Sequence, residues 1–272
     1  MIRLICDEAQ TLKQFTDTRC AQASFYWNTL LRNKDIKVNG KKTGEDILVY
    51  KGDEICYYLT KKQEEKSGYA IVYADDNLFI VDKESGVNSE AVFADLFRKE
   101  GGKCAFIHRL DRNTAGLLAF ARNEETEAEL LSAFKGKRVE KRYHALCFGV
   151  FPKEKDTLTA YLKKNGKDSL VKIYDAPTCG AEKIITEYRA LEKRVDATKS
   201  EITLHTGKTH QIRAHLAHIG CPIVGDMKYG DTVKNKAKNV ARQQLVAKSL
   251  AFELSGKLAY LNGKKFLSSF DV

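Results

Sequence analysis

The spacing of hydrophobic residues predicts a small mixed module in the first part of the chain. A short helix is expected to begin within residues 11–15, and aromatic and leucine side chains recur at helical spacing in residues 23–32. Residues 36–42 alternate apolar and basic side chains around an Asn-Gly pair, which predicts a β-hairpin. Residues 47–55 add a strand, a turn and a strand. We therefore expect helices followed by β-structure in this module.

A polar, charged run at residues 61–68 interrupts the hydrophobic pattern. Such runs are typical of linkers, because they offer little apolar surface to bury. We therefore predict two domains, a small one over residues 1–62 and a larger one over residues 69–272.

Strand patterns dominate the larger domain, with helices between them. The predicted strands are residues 70–73 and 78–81 around a turn at 75–77, then 117–121, 143–148, 184–191, 201–204 and 250–254. The predicted helices are residues 124–134 and 209–219, with Thr209 as the N-cap of the second. This order favours an α+β fold with a mixed, mostly antiparallel central sheet and flanking helices. The chain has neither the glycine pattern of a dinucleotide-binding fold nor a phosphate-binding P-loop.

The excess of basic residues in the composition favours an anionic partner. The 272-residue chain has a formal net charge of +10 and a pI near 9.1, which favours nucleic acid or an anionic surface. No apolar run approaches the roughly 20 residues of a membrane helix, and the first residues do not resemble a signal peptide. We expect a cytoplasmic protein, a monomer by default, that does not act at a membrane. Seven scattered cysteines without a Cys-x-x-Cys pair predict reduced, mostly buried thiols.

The candidate chemistry centres on Asp111, which stands between Arg109 and Arg112 where a loop gives way to an apolar run. The flanking guanidinium groups would hold the carboxylate ionised. An ionised carboxylate is a weak general base at neutral pH, but it is always available as a nucleophile. An aspartate that closes a turn or caps a helix fits the local sequence equally well.

Residues 108–118, with the sequence HRLDRNTAGLL, resemble the catalytic motif of the RluA-type pseudouridine synthases. Further stretches resemble the family's other motifs in the same order, at residues 71–83, 141–143, 206–216 and 220–230. The first module resembles an S4 domain, a small RNA-binding fold, in its helix–hairpin order and its Ile-x-Val-Asn-Gly signature. The resemblance therefore implies a pseudouridine synthase fold preceded by an S4-like α/β module.

The resemblance also implies a reaction. Uridine in structured RNA would be isomerised to pseudouridine, without cofactor or metal, after the base is flipped out of its stack. Ribosomal RNA is the favoured substrate, with transfer RNA as the alternative. Asp111 would start the reaction at the ribose as nucleophile or base, and Arg213 would pair with it. Tyr143 would stack on the uracil and assist proton removal, and Arg109 would enter the space left by the flipped base.

Five further residues are candidate RNA contacts. Arg112 lies beside Asp111, and Lys83 closes the first family motif, where a structural lysine that contacts the backbone is the alternative. Ile212 is expected to pack under the site. Lys37 and Lys41 belong to the basic surface of the first module, where a merely solvated surface is the alternative.

Two basic runs flank the motifs, at residues 135–142 and 228–242. Both could track phosphates, which would give salt-dependent affinity that does not depend on sequence. A solvated loop is an equal alternative for the second run.

The chain departs from the family pattern at four places. Residues 83–86 lack the usual proline, Ala115 stands for a usual serine, Lys208 for an arginine, and Val246 for a common histidine. None of them affects the three candidate catalytic residues.

Two other classes of function remain as alternatives. One is an RNA-binding protein whose synthase-like domain is inactive. The other is a metal-dependent hydrolase built on histidines, which the absence of nearby acidic ligands disfavours. The histidines concerned are His205, His210, His215 and His218.

Overall fold

The N-terminal part of the chain forms a small α/β module. The structure is a computed structural model, and it describes residues 1–65, 68–165, 170–240 and 242–272. The strands of the module are β1 (Ile2–Ile5), β2 (Gln10–Thr11), β3 (Ile36–Val38), β4 (Lys41–Thr43), β5 (Leu48–Val49) and β6 (Glu54–Tyr57). Its helices are α1 (Leu12–Arg19), α2 (Ala21–Phe25) and α3 (Trp27–Asn33). Strands β1, β6, β3 and β4 form a sheet in that order, and the predicted Asn-Gly hairpin joins β3 to β4.

The expected second helix is divided in two. Tyr26 has a backbone ψ of 14°, which ends α2 and begins α3. The division lets Ala23 on one piece and Leu30 on the other both reach the same buried cluster with Phe15. Sequence periodicity does not show a one-residue break of this kind.

The charged run at residues 61–68 is more ordered than the linker expected from sequence. Helix α4 (Lys61–Glu65) occupies its first part, and Thr60 caps it by accepting a hydrogen bond from the Gln63 amide. Residues 66–67 lie outside the described residues. Helices α1 and α2 also pack against a helix of the larger part, so the module is docked.

The larger part is built around one extended sheet. Its strands are β7 (Tyr69–Ala74), β8 (Leu78–Lys83), β9 (Ala105–Phe106), β10 (Ala115–Ala121), β11 (Val139–Phe148), β12 (Lys155–Lys164), β13 (Val171–Tyr174), β14 (Glu182–Lys193), β15 (Ala197–Leu204), β16 (Leu245–Phe252) and β17 (Lys265–Leu267). Its helices are α5 (Ser89–Lys99), α6 (Glu124–Lys135), α7 (Gln211–His218), α8 (Thr232–Ala237) and a 3-10 helix (Gly256–Leu261). Among the described residues, β13-β12-β14-β15-β11-β16-β10-β8-β7 pair in that order, with β17 on β16 and β9 on β10. All these pairs are antiparallel except β10 with β16, which confirms the predicted α+β fold with a mixed, mostly antiparallel sheet.

Several predicted boundaries are wrong. The last predicted helix begins at Gln211 and not at Thr209, because His210 takes a left-handed conformation with φ 55° and precedes the first turn without a side-chain cap. Sequence analysis missed α5, β12, β13 and α8. Helix α8 occupies part of the basic run 228–242, where Asp231 caps it, so that run is not simply a loop; residue 241 lies outside the described residues.

Strand β10 separates the two main hydrophobic clusters of the larger part. Leu118 and Phe120 face the cluster that includes α5 and α7, whereas Leu117 and Ala119 face the cluster that includes α6. All seven residues of β10 are buried. A strand covered on both faces reads as a continuous apolar run, which explains the hydrophobic stretch that follows Asp111.

A close contact between strands sets the position of the residues around Asp111. Gly116 lies opposite Ala247 on β16, and a Cβ at Gly116 would come within 2.4 Å of the Ala247 carbonyl oxygen. Ala247 is also the partner of Tyr143 on β11. Gly116, Ala247 and Tyr143 therefore lie side by side on three neighbouring strands. Because β10 begins four residues after Asp111, this arrangement brings Tyr143 to the same side of the sheet as the Asp111 loop.

The remaining general expectations concern thiols and membranes. All seven cysteines are free, and only Cys179 is exposed. Among the described residues, no helix has the length and apolar character needed to cross a membrane.

Candidate active site

A loop between β9 and β10 presents Asp111. The amide of Thr114 donates to the Asp111 carbonyl at 3.0 Å, so the backbone of Asp111 closes the turn and its carboxylate stays available. The hydroxyl of Ser89, at the start of α5, bonds both the amide and the carbonyl of Leu110 at 3.0 Å. These bonds fix the backbone immediately before and after Asp111.

Arg213 is the cation that contacts Asp111. Its Nη1 donates to Asp111 Oδ2 at 2.8 Å, and its Nε and Nη2 donate to Asp226 at 2.6 and 3.0 Å. Asp226 is fully buried, and burial opposes its charge, but the Arg213 bonds and two backbone amides lower its pKa. Burial likewise opposes the charge of Arg213, but the bonds to Asp226 and Asp111 raise its pKa. The fork of Arg213 is therefore held in place by Asp226 and offers one N–H to Asp111.

The adjacent arginines do not pair with Asp111, contrary to the first expectation from sequence. The guanidinium of Arg109 is largely exposed and pairs with Glu90 at 2.9 Å. Arg112 donates from Nε to the Gly86 carbonyl at 2.9 Å, and burial lowers its pKa. Sequence proximity placed them next to Asp111, but a loop backbone turns successive side chains in different directions.

Lys83 lies under the loop and not on the pocket wall. Its side chain is fully buried, and its Nζ donates to the carbonyls of Glu84, Val87 and Arg112 at 3.0, 2.8 and 3.1 Å. Burial lowers the pKa of Lys83 to about 7, although Asp111 opposes this shift. The expected RNA contact is therefore not present, and the backbone-contacting alternative describes Lys83.

Tyr143 and Ile212 complete the apolar side of the site. Both are buried and both line the pocket that holds Asp111. Burial raises the pKa of the Tyr143 hydroxyl, and the Asp111 charge adds to the shift. The hydroxyl is therefore protonated at neutral pH.

Sequence analysis missed a second layer of residues behind Arg213. His210 Nδ1 lies 2.9 Å from the Tyr229 hydroxyl, and its Nε2 lies 3.8 Å from Asp111. The Tyr229 ring lies 5.3 Å from the Arg213 guanidinium. The signal that could have found these residues is the resemblance itself, because His210, Asp226 and Tyr229 lie in the motif stretches 206–216 and 220–230.

The pocket around Asp111 is strongly basic. It has a volume of about 1040 Å³, and among the described residues that line it Asp111 is the one carboxylate, whereas eight are lysine or arginine. These cations are Arg109, Arg112, Lys135, Lys141, Lys164, Lys208, Arg213 and Lys228. Such a charge balance suits a polyanionic ligand that brings one neutral group to the carboxylate.

Two candidate RNA contacts lie elsewhere. Lys37 on β3 has its Nζ 5.2 Å from the Tyr58 ring, and Lys41 is exposed on β4. Neither lines the Asp111 pocket.

The four histidines considered as metal ligands have other partners. In the part of the chain that the structure describes, no group of three or more His, Cys, Asp or Glu residues is placed to hold a metal. The partners are Glu187 for His205, Tyr229 for His210, Thr186 for His215 and Asp175 for His218.

Comparison with known proteins gives one consistent result. Residues 49–218 match the family model described as RNA pseudouridylate synthase. The chain is 34% identical over 230 residues to the ribosomal large subunit pseudouridine synthase C of Rickettsia conorii, covering 74% of this chain and 75% of that protein. It is 31% identical over 255 residues to an uncharacterised RNA pseudouridine synthase of Chlorobaculum parvum, covering 80% of this chain and 78% of that protein. Among solved structures, human RNA pseudouridylate synthase domain containing 1 matches with a TM-score of 0.60 and 26% identity, covering 69% of this chain and 81% of that one.

Proposed function

The chain belongs to the RNA pseudouridylate synthase family, and from that premise we propose that it isomerises uridine to pseudouridine in RNA of the large ribosomal subunit. The names of its relatives from Rickettsia support the choice of RNA. The eight cations around one carboxylate support a polyanionic substrate of this kind.

The pairing of Asp111 with Arg213 carries this proposal. Isomerisation breaks the bond from N1 of uracil to the ribose and forms a bond from C5 to the same ribose carbon. Asp111 starts the reaction at the ribose as nucleophile or as base, and both roles need its ionised carboxylate. The 2.8 Å bond from Arg213 orients the carboxylate and leaves its second oxygen available to the substrate.

Tyr143 holds the uracil ring by stacking after the bond from N1 to the ribose has broken. Its ring lines the pocket, and stacking on an aromatic ring contributes about 1–3 kcal/mol per base. Because burial raises the pKa of its hydroxyl, Tyr143 donates and accepts hydrogen bonds as a neutral phenol. As the hydroxyl takes up the proton that leaves C5, it passes its own proton to the Asp111 carboxylate, so the step needs no phenolate.

Base flipping requires a residue that fills the vacated stack. Arg109 is mostly exposed, and its bond to Glu90 is a surface ion pair worth at most about 1 kcal/mol. Arg109 can therefore leave Glu90 at small cost, whereas extrusion of a base costs a few kcal/mol. We assign Arg109 to the vacated stack, with Arg112 fixing the loop beside it.

The N-terminal module contributes binding outside the pocket. We assign residues 1–62 to an S4-like RNA-binding domain and residues 69–272 to the catalytic domain. Lys37 and Lys41 would contact RNA phosphates from the module, which adds affinity without adding chemistry.

A depletion experiment tests the proposed function. The protein is removed from its host, and pseudouridine is mapped in total RNA before and after. We expect one or more sites in large-subunit ribosomal RNA to disappear, to return with the native gene, and to stay absent with Asp111→Asn. Unchanged maps after depletion would refute the activity in cells, and loss in transfer RNA alone would refute the choice of substrate.

A further inference from the structure

The Asp111 pocket continues past the catalytic residues into a second cavity. This cavity has a volume of about 770 Å³ and is lined by the turn between α6 and β11, by the end of β15 and by the end of β16. Among the described residues that line it, five are lysine or arginine and two, Glu140 and Glu253, are carboxylates. Six of the described residues line both cavities, namely Phe134, Lys135, Lys141, Leu204, Gly207 and Lys208. We call the second cavity, with these six shared residues, the basic groove.

Hydrogen bonds from Arg138 hold the turn between α6 and β11. The Arg138 guanidinium donates to Glu129 at 3.0 Å, to the Ser132 hydroxyl at 3.1 Å and to the Glu253 carbonyl at 2.9 Å. Lys137 is held at φ 59°, a conformation that non-glycine residues rarely adopt. Arg138 therefore serves the fold, and the turn fixes where Lys135 and Lys137 emerge along the groove.

Lys141 is a cation without a counter-ion among the described residues. No carboxylate lies within ion-pair distance of its Nζ, which sits 5.2 Å from the centre of the Phe134 ring. Burial lowers the pKa of Lys141. His108 stacks on the same Phe134 ring. Its Nε2 accepts a hydrogen bond from the Ala119 amide and burial lowers its pKa to about 3, so it is neutral and is no counter-ion for Lys141. Partly buried charges are usually paired, so this one is suited to a ligand anion.

Gly207 leaves the ammonium group accessible. A Cβ at Gly207 would meet only Lys141 Nζ, at 3.5 Å, which is ordinary contact. The absence of a side chain therefore opens one side of the ammonium group to the shared wall of the two cavities. Lys208, the next cation along this wall, is already paired with Glu182.

We propose that Lys141 binds a backbone phosphate of the RNA strand next to the target nucleotide, and that the basic groove carries this strand away from Asp111. The assignment rests on the proposed function, because the strand that places a nucleotide at Asp111 must continue along one of the openings of the pocket. Lys135 and Lys137 neutralise further phosphates along the groove. Phosphate contacts of this kind set the register of the strand without reading its sequence.

Binding measurements on an inactive background test the proposal. Every variant carries Asp111→Asn, and its affinity for a large-subunit ribosomal RNA fragment is measured over a range of salt concentrations. Lys141→Met removes the charge, Lys141→Arg keeps it, and Gly207→Ala places a methyl group against the ammonium. The matched control is Lys172→Met, because the Lys172 ammonium also lies over an aromatic ring, that of Tyr174, but outside both cavities.

We expect Lys141→Met to weaken binding about tenfold and to reduce the slope of log affinity against log salt by roughly 0.7 to 1. Lys141→Arg should keep the native slope, Gly207→Ala should weaken binding, and Lys172→Met should leave both quantities unchanged. An unchanged slope for Lys141→Met, or an equal loss for Lys172→Met, would overturn the proposal.

A second measurement uses the unmodified chain and so does not depend on folding of a variant. Amine acylation of each lysine is followed by mass spectrometry with and without the RNA fragment. Lys141 should be protected by RNA and Lys172 should not; equal labelling of Lys141 in both conditions would overturn the proposal. If Lys141 binds phosphate but no pseudouridine forms, the proposed activity fails and this assignment survives. If pseudouridine forms and Lys141 shows neither effect, only this assignment fails.

Discussion

Asp111 accepts a 2.8 Å hydrogen bond from Arg213, although 102 positions separate the two residues in the chain. The same guanidinium group holds the fully buried Asp226 through two further bonds. One cation therefore serves two carboxylates, of which one is structural and one faces the pocket. This arrangement fixes the position of the Asp111 carboxylate relative to the pocket.

Arg213→Lys should separate charge from geometry. A lysine keeps the positive charge but cannot bridge both carboxylates, so we expect the single-turnover rate to fall by about 100-fold or more. A poorly paired Asp226 should also lower the free energy of unfolding by about 3 kcal/mol. The control is Arg189→Lys, because Arg189 is an exposed arginine that pairs with Glu201 away from the Asp111 pocket, and it should change neither quantity. A native rate in Arg213→Lys would show that charge alone is sufficient.

Tyr143 should reveal its two roles through two substitutions. Tyr143→Phe keeps the ring and removes the hydroxyl, so RNA affinity should stay within about threefold while the single-turnover rate drops at least about tenfold. Tyr143→Leu removes stacking, so affinity should fall by about ten- to a hundredfold. Affinity is measured in the Asp111→Asn background and rate in the native one. Equal effects of both substitutions on affinity would contradict the stacking role.

The docking of the N-terminal module should depend on Asn88. Its side chain donates to Asp17 of α1, which Lys13 and Ser24 also contact. Asn88→Ala should weaken docking by about 1.5–3 kcal/mol, the range for a hydrogen bond to a charged group. Faster amide hydrogen exchange in α1 and α2 would report this loss. Asn33→Ala, at an exposed position at the end of α3 in the same module, is the control, and equal exchange in the two variants would refute the role of Asn88.

Buried histidines should make the protein sensitive to acid. Burial lowers the pKa of His215 to about 4, below its ordinary value of about 6.5, so the unfolded chain binds a proton in this interval that the folded chain does not. Stability is therefore lost as pH falls below about 6.5. Between pH 7 and pH 5, His215 alone should cost about 2 kcal/mol of unfolding free energy.

His215→Gln is the matched variant for this effect, because a glutamine can still bond the Thr186 hydroxyl without titrating. Denaturant unfolding at the two pH values should show a smaller loss in the variant by about that amount. An equal loss in both proteins would exclude His215 as the cause.

The sequence predicted the elements near Asp111 better than their connections. Motif order named Asp111, Tyr143 and Arg213, and the hydrophobic run after Asp111 predicted a buried strand. The pairing of β10 with β16, which brings these residues to one side, joins segments far apart in the chain and leaves no local pattern. Gly116 belongs to the motif at residues 108–118, but the need for a glycine there is explained only by the close approach of the Ala247 backbone.

Long-range bonds explain the other errors. Lys83 sits in a strand whose six residues are all buried, and three carbonyls of the neighbouring loops, not RNA, satisfy its ammonium group. Arg109 and Arg112 flank Asp111 in the sequence, which predicted that they pair with it, yet their bonds go to Glu90 and Gly86. The hydrogen-bond partners of a polar side chain are the groups that lie near it in the folded chain, and hydrophobic periodicity carries no information about those groups.

The most direct measurement follows release of the C5 hydrogen. Unmodified large-subunit ribosomal RNA, labelled with tritium at C5 of uridine, is incubated with the purified protein, because joining C5 to the ribose must expel that hydrogen. We predict tritium release by the native chain, and a rate at least about 1000-fold lower for Asp111→Asn at similar RNA affinity. Release at a comparable rate by Asp111→Asn would contradict the central role of Asp111.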